Sequence, residues 1–273
     1  METLRIPVAD GLVLDAVATG PDDGPLVLLL HGFPQTSLSW RGVWPALADA
    51  GFRVVAPDLR GYSPDARPEG VEAYTMTHLV ADVVALLEHL GASAAHVVGH
   101  DWGAAVAWQV AGRHPDRVRT LTTVSVPHPV AFAEALRSDP EQRERSQYMR
   151  DWRSPETEQT LDLRGLFGGV PAVAVDAYAE RMAQPGALTA ALSYYRAQSL
   201  QDLEGLGPIT ATTLHVWSDG DAALGPTAAH ATGSHVRGPY RFEVLHDVSH
   251  WVPEEAADRL VPLLLEHLRA HSA

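Results

Sequence analysis

The chain has 273 residues, of which 46% are hydrophobic, and its 34 acidic side chains outnumber its 20 basic ones. The formal charge of −14 argues against nucleic acid, anionic membrane surfaces and strongly anionic substrates as partners. The chain has no cysteine and no lysine, which excludes disulfides, thiol chemistry and lysine Schiff bases. With no signal peptide pattern and no apolar run of membrane-spanning length, we expect a cytoplasmic protein.

Strand-like and helix-like segments alternate along the chain. The first two strands flank a turn at Asp10-Gly11 and are expected to pair antiparallel. The repeated β–α units that follow predict a mainly parallel sheet with helices on both faces. The predicted strands are 4–8, 12–18, 25–30, 53–57, 95–98, 118–126, 213–217 and 241–245, and the predicted helices are 37–50, 76–90, 104–112 and 253–270.

One long stretch interrupts this alternation. Residues 130–206 show no strand signal, only short helix-like pieces broken by proline and glycine, and they hold four of the seven tyrosines. We interpret residues 130–206 as a helical cap inserted into a core formed by residues 1–129 and 207–273. A solvated surface insertion is the alternative, but the aromatic content favours a segment that packs on something.

The segment Gly99-His100-Asp101-Trp102-Gly103 follows an apolar strand and precedes a helix. This is the pattern of a nucleophile elbow, in which a strained turn lifts one side chain above the sheet edge and only small neighbours fit. Here the lifted residue is Asp101. A carboxylate is a poor acyl acceptor but a competent displacing group at saturated carbon, which points to opening an epoxide or expelling a halide. An ordinary aspartate in a strand–helix turn is the alternative.

The chain as a whole resembles the epoxide hydrolase branch of the α/β-hydrolase fold, across about residues 25–265. The resemblance implies that fold: a mainly parallel eight-stranded sheet, helices on both faces and an inserted helical cap. Each motif is short, but together they follow the family's order. They are His31-Gly32-Phe33-Pro34, the elbow, Val126-Pro127-His128-Pro129, Trp217-Ser218-Asp219-Gly220-Asp221 and Ser249-His250-Trp251-Val252-Pro253-Glu254.

The resemblance implies a two-step reaction that converts an epoxide to a vicinal diol. Asp101 attacks the epoxide and forms an ester, and His250 then activates the water that hydrolyses it. Asp221 orients the imidazole of His250, in the family's order of nucleophile, acid and base. The peptide N–H groups of Phe33 and Trp102 hold the carboxylate and the later oxyanion.

Two cap tyrosines, Tyr148 and Tyr195, match the family's proton donors to the leaving oxygen. The alternative is that both tyrosines only pack within the cap. Tyr194 stands where the family often has tryptophan, which we interpret as a packing change, and we expect Tyr178 to be structural.

Two residues near the proposed acid and base compete with them. Asp219 lies two residues before Asp221 and is an alternative acid, although the family pattern aligns Asp221, with Ser218 replacing a glycine. His246 is an alternative to His250 as the base. The i, i+4 spacing of these two histidines is also that of a metal-binding pair, which we disfavour because no helix is expected there and no carboxylate motif accompanies them. We expect neither a metal nor a cofactor.

Three functions fit this chain to different degrees. An epoxide hydrolase acting on a small neutral hydrophobic epoxide and water, as a monomer or homodimer, fits best. A haloalkane dehalogenase shares the nucleophile and has Trp102 and Trp152 as halide donors, but Phe33 replaces the asparagine common there. A fluoroacetate-type dehalogenase fits less well still, because those enzymes place arginine after the aspartate, where this chain has Trp102. A silent ligand-binding protein of this fold is the alternative from another class.

Overall fold

The computed structural model of the protein describes residues 1–199 and 206–271. Its centre is one eight-stranded sheet in the order β1-β2-β4-β3-β5-β6-β7-β8, in which β1–β2 and β2–β4 are antiparallel and the other pairs parallel. This confirms the predicted fold class. The strands are β1 Glu2–Pro7, β2 Val13–Thr19, β3 Leu26–Leu30, β4 Arg53–Pro57, β5 Ala95–His100, β6 Val118–Val124, β7 Thr212–Ser218 and β8 Tyr240–Leu245.

Helices cover both faces of the sheet, and the side chains of the central strands alternate between two hydrophobic clusters. In β3, Leu28 and Leu30 pack on one face with α2 (Met76–His89) and α3 (Trp102–Arg113). Val27 and Leu29 pack on the other face with α1 (Trp44–Asp49) and α12 (Ala257–Arg269). Because successive strand side chains point to opposite faces, a strand buried on both sides reads as an unbroken apolar run. The helices outside the segment between β6 and β7 are α1 Trp44–Asp49, α2 Met76–His89, α3 Trp102–Arg113, α10 Pro226–Ala231, α11 Val252–Glu255 and α12 Ala257–Arg269.

Two predicted helices are each divided in the structure. The segment predicted as 37–50 forms a 3-10 turn, Ser37–Trp40, followed by α1, which starts afresh with a proline in its first turn. The last helix is broken at Ala256, whose backbone (φ −134, ψ 35) lies outside the helical region. The short α11 before the break is held by hydrogen bonds from Arg41 to Glu254 and from Ser249 to Glu255, whereas α12 packs its apolar face on the sheet.

Between β6 and β7, the described residues 125–199 contain helices and no strand, which agrees with the absence of a strand signal there. The final part of the predicted cap, residues 200–205, lies outside the described residues, as do residues 272–273 of the predicted core. Across residues 1–199 and 206–271, no helix combines the length and the apolar content that crossing a membrane requires. The helices of this segment are α4 Pro129–Ser138, α5 Pro140–Arg145, α6 Gln147–Asp151, α7 Thr157–Thr160, α8 Ala172–Met182 and α9 Ala187–Ala197.

Several histidines are buried in this fold. Burial lowers the pKa of His96 and His128 to about 3, and the pKa of His100, His215 and His267 to about 4. These side chains are therefore neutral in the folded protein at pH values where they take up protons in the unfolded chain. Folding then opposes proton uptake, and acid favours the unfolded state.

We predict that the free energy of unfolding decreases as the pH falls below about 6.5, the ordinary histidine value, by about 1.4 kcal/mol per pH unit for each such histidine. Replacing His215→Phe keeps a ring at the site and removes one of these protons. The free energy of unfolding, measured with urea between pH 6 and pH 5, is therefore expected to depend less steeply on pH in this variant, by the equivalent of about one proton. His89→Asn, on the exposed end of α2, is the control. An unchanged slope in His215→Phe would contradict the interpretation.

Candidate active site

The turn between β5 and α3 has the geometry of a nucleophile elbow. Asp101 lies between the two elements with φ 50 and ψ −122, a conformation that a side-chain-bearing residue rarely adopts. A Cβ on Gly99 would overlap the backbone of Gly103, and a Cβ on Gly103 would overlap the carbonyl of Leu30. The two glycines therefore let the strand, the turn and the helix approach closely enough to place Asp101 at the sheet edge.

The carboxylate of Asp101 is buried and held by donors. The Phe33 N–H donates to Oδ1 at 2.7 Å, and the Trp102 N–H also donates to this carboxylate. A Cβ on Gly32 would overlap the carboxylate itself, so the turn before Phe33 needs glycine there. Burial alone would raise the pKa of Asp101, but the hydrogen bond and charge of His250 outweigh it and hold that pKa below its ordinary value.

His250 lies between two carboxylates. Its Nδ1 donates to Asp221 Oδ2 at 2.7 Å, and its Nε2 is 3.5 Å from Asp101 Oδ2. Burial opposes protonation of the imidazole, yet the charges and hydrogen bonds of Asp221 and Asp101 raise the pKa of His250 to about 10. With Asp101 unmodified, the site therefore holds an imidazolium between two anions.

The structure brings Asp221, and not Asp219, to the imidazole. Asp219 accepts hydrogen bonds from the ring of His246 at 2.6 Å and from the Asp247 N–H at 2.9 Å, and the His246 side chain is 72% exposed. Both sequence alternatives thus pair with each other on the surface. Within the described ranges, no three His, Cys, Asp or Glu side chains converge in a way that could hold a metal ion.

Two further residues near His250 were missed by the sequence analysis. His100 Nε2 donates to the His250 carbonyl at 2.8 Å, and Ser125 Oγ donates to the same oxygen at 3.2 Å. His100 is the last residue of β5 and Ser125 directly follows β6, so both lie at the carboxyl end of a central strand, and this position is the only signal for them in the sequence. They fix the backbone of the residue that carries the imidazole.

A cavity of about 400 Å³ lies over Asp101 and His250. Aromatic rings and small residues make up most of its lining. Tyr148 and Tyr195 both line the cavity, and burial together with the charge of Asp101 raises the pKa of both phenols, which keeps them protonated. The lining residues are Phe33, Asp101, Arg145, Tyr148, Trp152, Leu166, Gly168, Tyr195, Gly220, Ala222, Ala223, Ser249, His250 and Trp251.

The remaining tyrosines singled out in the sequence lie elsewhere. Tyr194 is fully buried, and its hydroxyl donates to the Arg60 carbonyl at 2.7 Å. The Tyr178 hydroxyl donates to the carboxylate of Glu254, which also pairs with Arg41. Neither lines the cavity, in line with the packing and structural parts expected for them.

Comparison with known proteins agrees with this geometry. The sequence matches the family model of the alpha/beta hydrolase fold over residues 25–257. The AB hydrolase superfamily protein YfhM of Bacillus subtilis is 34% identical, with 95% of this chain and 96% of that protein covered. Epoxide hydrolase A of Mycobacterium tuberculosis is 32% identical, with 97% of each chain covered. A solved structure of an epoxide hydrolase from metagenomes of hot environments superposes with a TM-score of 0.90 at 32% identity, with 98% of each chain covered.

The chain therefore belongs to the α/β-hydrolase fold family. Within that family it belongs to the branch that contains the epoxide hydrolases, as its five motifs predicted.

The contact between Asp221 and His250 leads to a prediction. Asp221→Asn removes the carboxylate 2.7 Å from the ring, so the pKa of His250 is expected to fall by ~1–3 units, the usual effect of one close opposite charge. Titration of the imidazole resonances by NMR measures this directly. Asp219→Asn removes a carboxylate from the same loop and serves as the matched control. Equal shifts in the two variants would contradict the assignment of Asp221.

Proposed function

We propose that this protein is an epoxide hydrolase that opens an epoxide to a vicinal diol through an ester on Asp101. One observation carries the proposal: a donor-held carboxylate, an imidazole 3.5 Å from it and two protonated phenols face one cavity. This set supplies a nucleophile, a base for water and a proton for the leaving oxygen. The named epoxide hydrolases among the relatives and solved structures support the same reaction.

In the first step, Asp101 Oδ2 forms a bond to an epoxide carbon as the bond from that carbon to the ring oxygen breaks. The electron pair moves to the oxygen, which takes a proton from Tyr148 or Tyr195. A phenol whose pKa is raised by burial remains a hydrogen-bond donor to the epoxide until the alkoxide forms. The N–H groups of Phe33 and Trp102 hold the carboxylate in place for attack.

In the second step, water attacks the carbonyl carbon of the ester. Esterification neutralises Asp101 and removes its charge and hydrogen bond from His250, and both of these raise the pKa of the imidazole. His250 thus becomes a better base once the intermediate has formed. The proton that His250 holds in the resting site first passes to the phenolate left by the first step, and the neutral imidazole then takes a proton from the attacking water. When the tetrahedral intermediate collapses, the bond from the Asp101 carbonyl carbon to the diol oxygen breaks, and that oxygen takes the remaining proton of the attacking water. Asp101, His250 and the phenol thereby return to their resting states.

The tetrahedral intermediate of this second step carries its negative charge on the former Oδ1 of Asp101. The Phe33 N–H is 2.7 Å from that atom in the resting site. A donor placed in this way stabilises such a transition state by roughly 2.7–4 kcal/mol. The N–H groups of Phe33 and Trp102 therefore hold first the carboxylate of Asp101 and then the oxyanion.

We also propose that residues 130–206 act as the cap over a core of residues 1–129 and 207–273. Five of its side chains line the cavity: Arg145, Tyr148, Trp152, Leu166 and Tyr195. The Trp251 ring, next to His250, donates to the Leu166 carbonyl at 3.0 Å, which joins the cap to the histidine loop. The largely aromatic lining and the volume favour a small, neutral, hydrophobic epoxide.

Haloalkane dehalogenation receives less support. The Trp102 ring packs edge-on against Tyr194 and Tyr195 at centroid distances of 5.6 and 5.0 Å, and it is absent from the cavity lining. Of the two tryptophans considered as halide donors, only Trp152 faces the cavity.

The ester intermediate can be trapped. His250→Gln removes the base for water and leaves the nucleophile, so incubation with styrene oxide is expected to raise the intact protein mass by that of the whole epoxide. Peptide mapping should place the adduct on Asp101, and the variant with the further change Asp101→Asn is the control. An adduct only with a chloroalkane, lighter by hydrogen halide, would indicate dehalogenation instead. No adduct with any substrate would favour a binding protein.

The phenols provide a second prediction. The double variant Tyr148→Phe with Tyr195→Phe keeps both rings and removes both acidic protons, so kcat/KM for styrene oxide is expected to fall by ~10²–10⁴-fold, the usual range for general acid catalysis. Tyr240→Phe, which removes a hydroxyl in β8, is the matched control. Rates equal to those of the control would show that the pair only packs within the cap.

A further inference from the structure

The loop that carries Asp221 is held by two side chains of α5. Gln142 is fully buried; its Nε2 donates to the Ala223 carbonyl at 2.9 Å, and its Oε1 accepts from the Gly225 N–H at 2.8 Å. Arg145 Nη1 donates to the Asp221 carbonyl. Three polar backbone groups of one short loop thus find their partners on a helix of the cap.

This loop backbone determines where the Asp221 carboxylate points. Asp221 Oδ1 accepts from the N–H groups of Ala223 and Leu224 at 2.8 and 3.0 Å, which leaves Oδ2 for the imidazole of His250. Ala223 therefore takes part in both arrangements, since its N–H holds the carboxylate and its carbonyl is held by Gln142. A shift of the loop moves the carboxylate with it.

The amide of Gln142 has its orientation fixed. Its Nε2 also donates to Ser146 Oγ at 2.9 Å, one turn further along the chain, so the donor end has two acceptors and the acceptor end one donor. A Cβ on Gly225 would lie 3.2 Å from Gln142 Oε1, which shows how closely the loop approaches the amide. The core also holds the loop near Gly225, because the Trp217 ring donates to the Leu224 carbonyl at 2.9 Å.

We propose that Gln142 is a positioning residue, which holds the loop of Asp221 against the cap and thereby aligns Asp221 with His250. The catalytic consequence rests on the proposed epoxide hydrolase function. Hydrolysis of the ester depends on this alignment, because His250 acts in that step. Alkylation of Asp101 depends on it less, because the nucleophile is held by Phe33 and Trp102.

The chain offers a matched control for this proposal. Gln198 is also a buried glutamine that bridges two backbone groups, since its Oε1 accepts from the Met76 N–H at 3.1 Å and its Nε2 donates to the Tyr74 carbonyl at 2.8 Å. None of its hydrogen bonds within residues 1–199 and 206–271 reaches the Asp221 loop. Gln142→Met and Gln198→Met therefore both remove buried bonds to backbone, and only the first disturbs the acid loop.

Rapid-quench mass spectrometry with styrene oxide separates the two chemical steps. In Gln142→Met, ester hydrolysis is expected to slow by about 10- to 100-fold, the effect of a displacement near 1 Å, while the rate of alkylation matches that of Gln198→Met. The alkylated protein then accumulates during turnover in the first variant only. Equal rates of hydrolysis in the two variants would overturn the proposal.

A titration of His250 by NMR tests the alignment without any substrate. Gln142→Met is expected to lower the pKa of the imidazole, and Gln198→Met is expected to leave it at the wild-type value. An unchanged value in Gln142→Met would overturn the inference, whereas a shifted value in a protein that opens no epoxide would contradict the proposed function alone. If Gln142→Met does not fold, Arg145→Met replaces it, because that side chain is 28% exposed. The same slow hydrolysis and lowered pKa are expected there, and their absence would equally overturn the inference.

Discussion

The backbone of Asp101 is the constraint on which the rest of the site depends. Its φ of 50 places a residue with a side chain in a region that costs of order 1–3 kcal/mol, and such residues persist only where the surroundings over-determine them. Here the surroundings are the strand β5, the start of α3 and the glycines that let them meet. In return, the carboxylate stands at the sheet edge, within reach of the Phe33 N–H and of His250. A relaxed turn would lose both contacts together.

The second constraint on the site is electrostatic, because two negative charges act on one imidazole. Two buried carboxylates, Asp101 and Asp221, flank one imidazole, and their combined effect raises its pKa to about 10. Such a group is a poor base while both anions are present. Because alkylation would neutralise one of them, the proposed chemistry itself would convert His250 from a counter-ion into a base. The order of the two steps then follows from electrostatics and requires no movement of the imidazole.

Much of the fold could be predicted from the sequence. A strand that is buried on both faces must be apolar throughout, and glycine or proline marks many of the turns between strands and helices. All eight strands lie where the sequence predicts them, with ends that differ by at most two residues. The divisions of the helices predicted at 37–50 and 253–270 were not foreseen, because the helical periodicity of the side chains continues across both breaks. Neither the proline in α1 nor Ala256 alters that pattern.

The candidate site divides in the same way. Asp101, His250 and their loops were visible because the elbow and the histidine motif are local. The choice between Asp219 and Asp221 was not resolved by spacing, since both lie in one loop, and only the turn that binds the Asp221 carboxylate to Ala223 and Leu224 decides it. The contacts of Gln142 could not be predicted from the sequence, because its partner Gly225 lies 83 positions further along the chain. Contacts of this kind link α5 to the loop after β7 and have no signature in either segment alone.

The central claim is that the oxygen added to the epoxide comes from Asp101 and not directly from water. A single turnover with enzyme in excess, in water labelled with ¹⁸O, tests it most directly. The account predicts a diol that contains only unlabelled oxygen and a peptide around Asp101 that has gained the label, because water attacks the ester carbonyl. A labelled diol released in that first turnover, with an unlabelled Asp101, would contradict it.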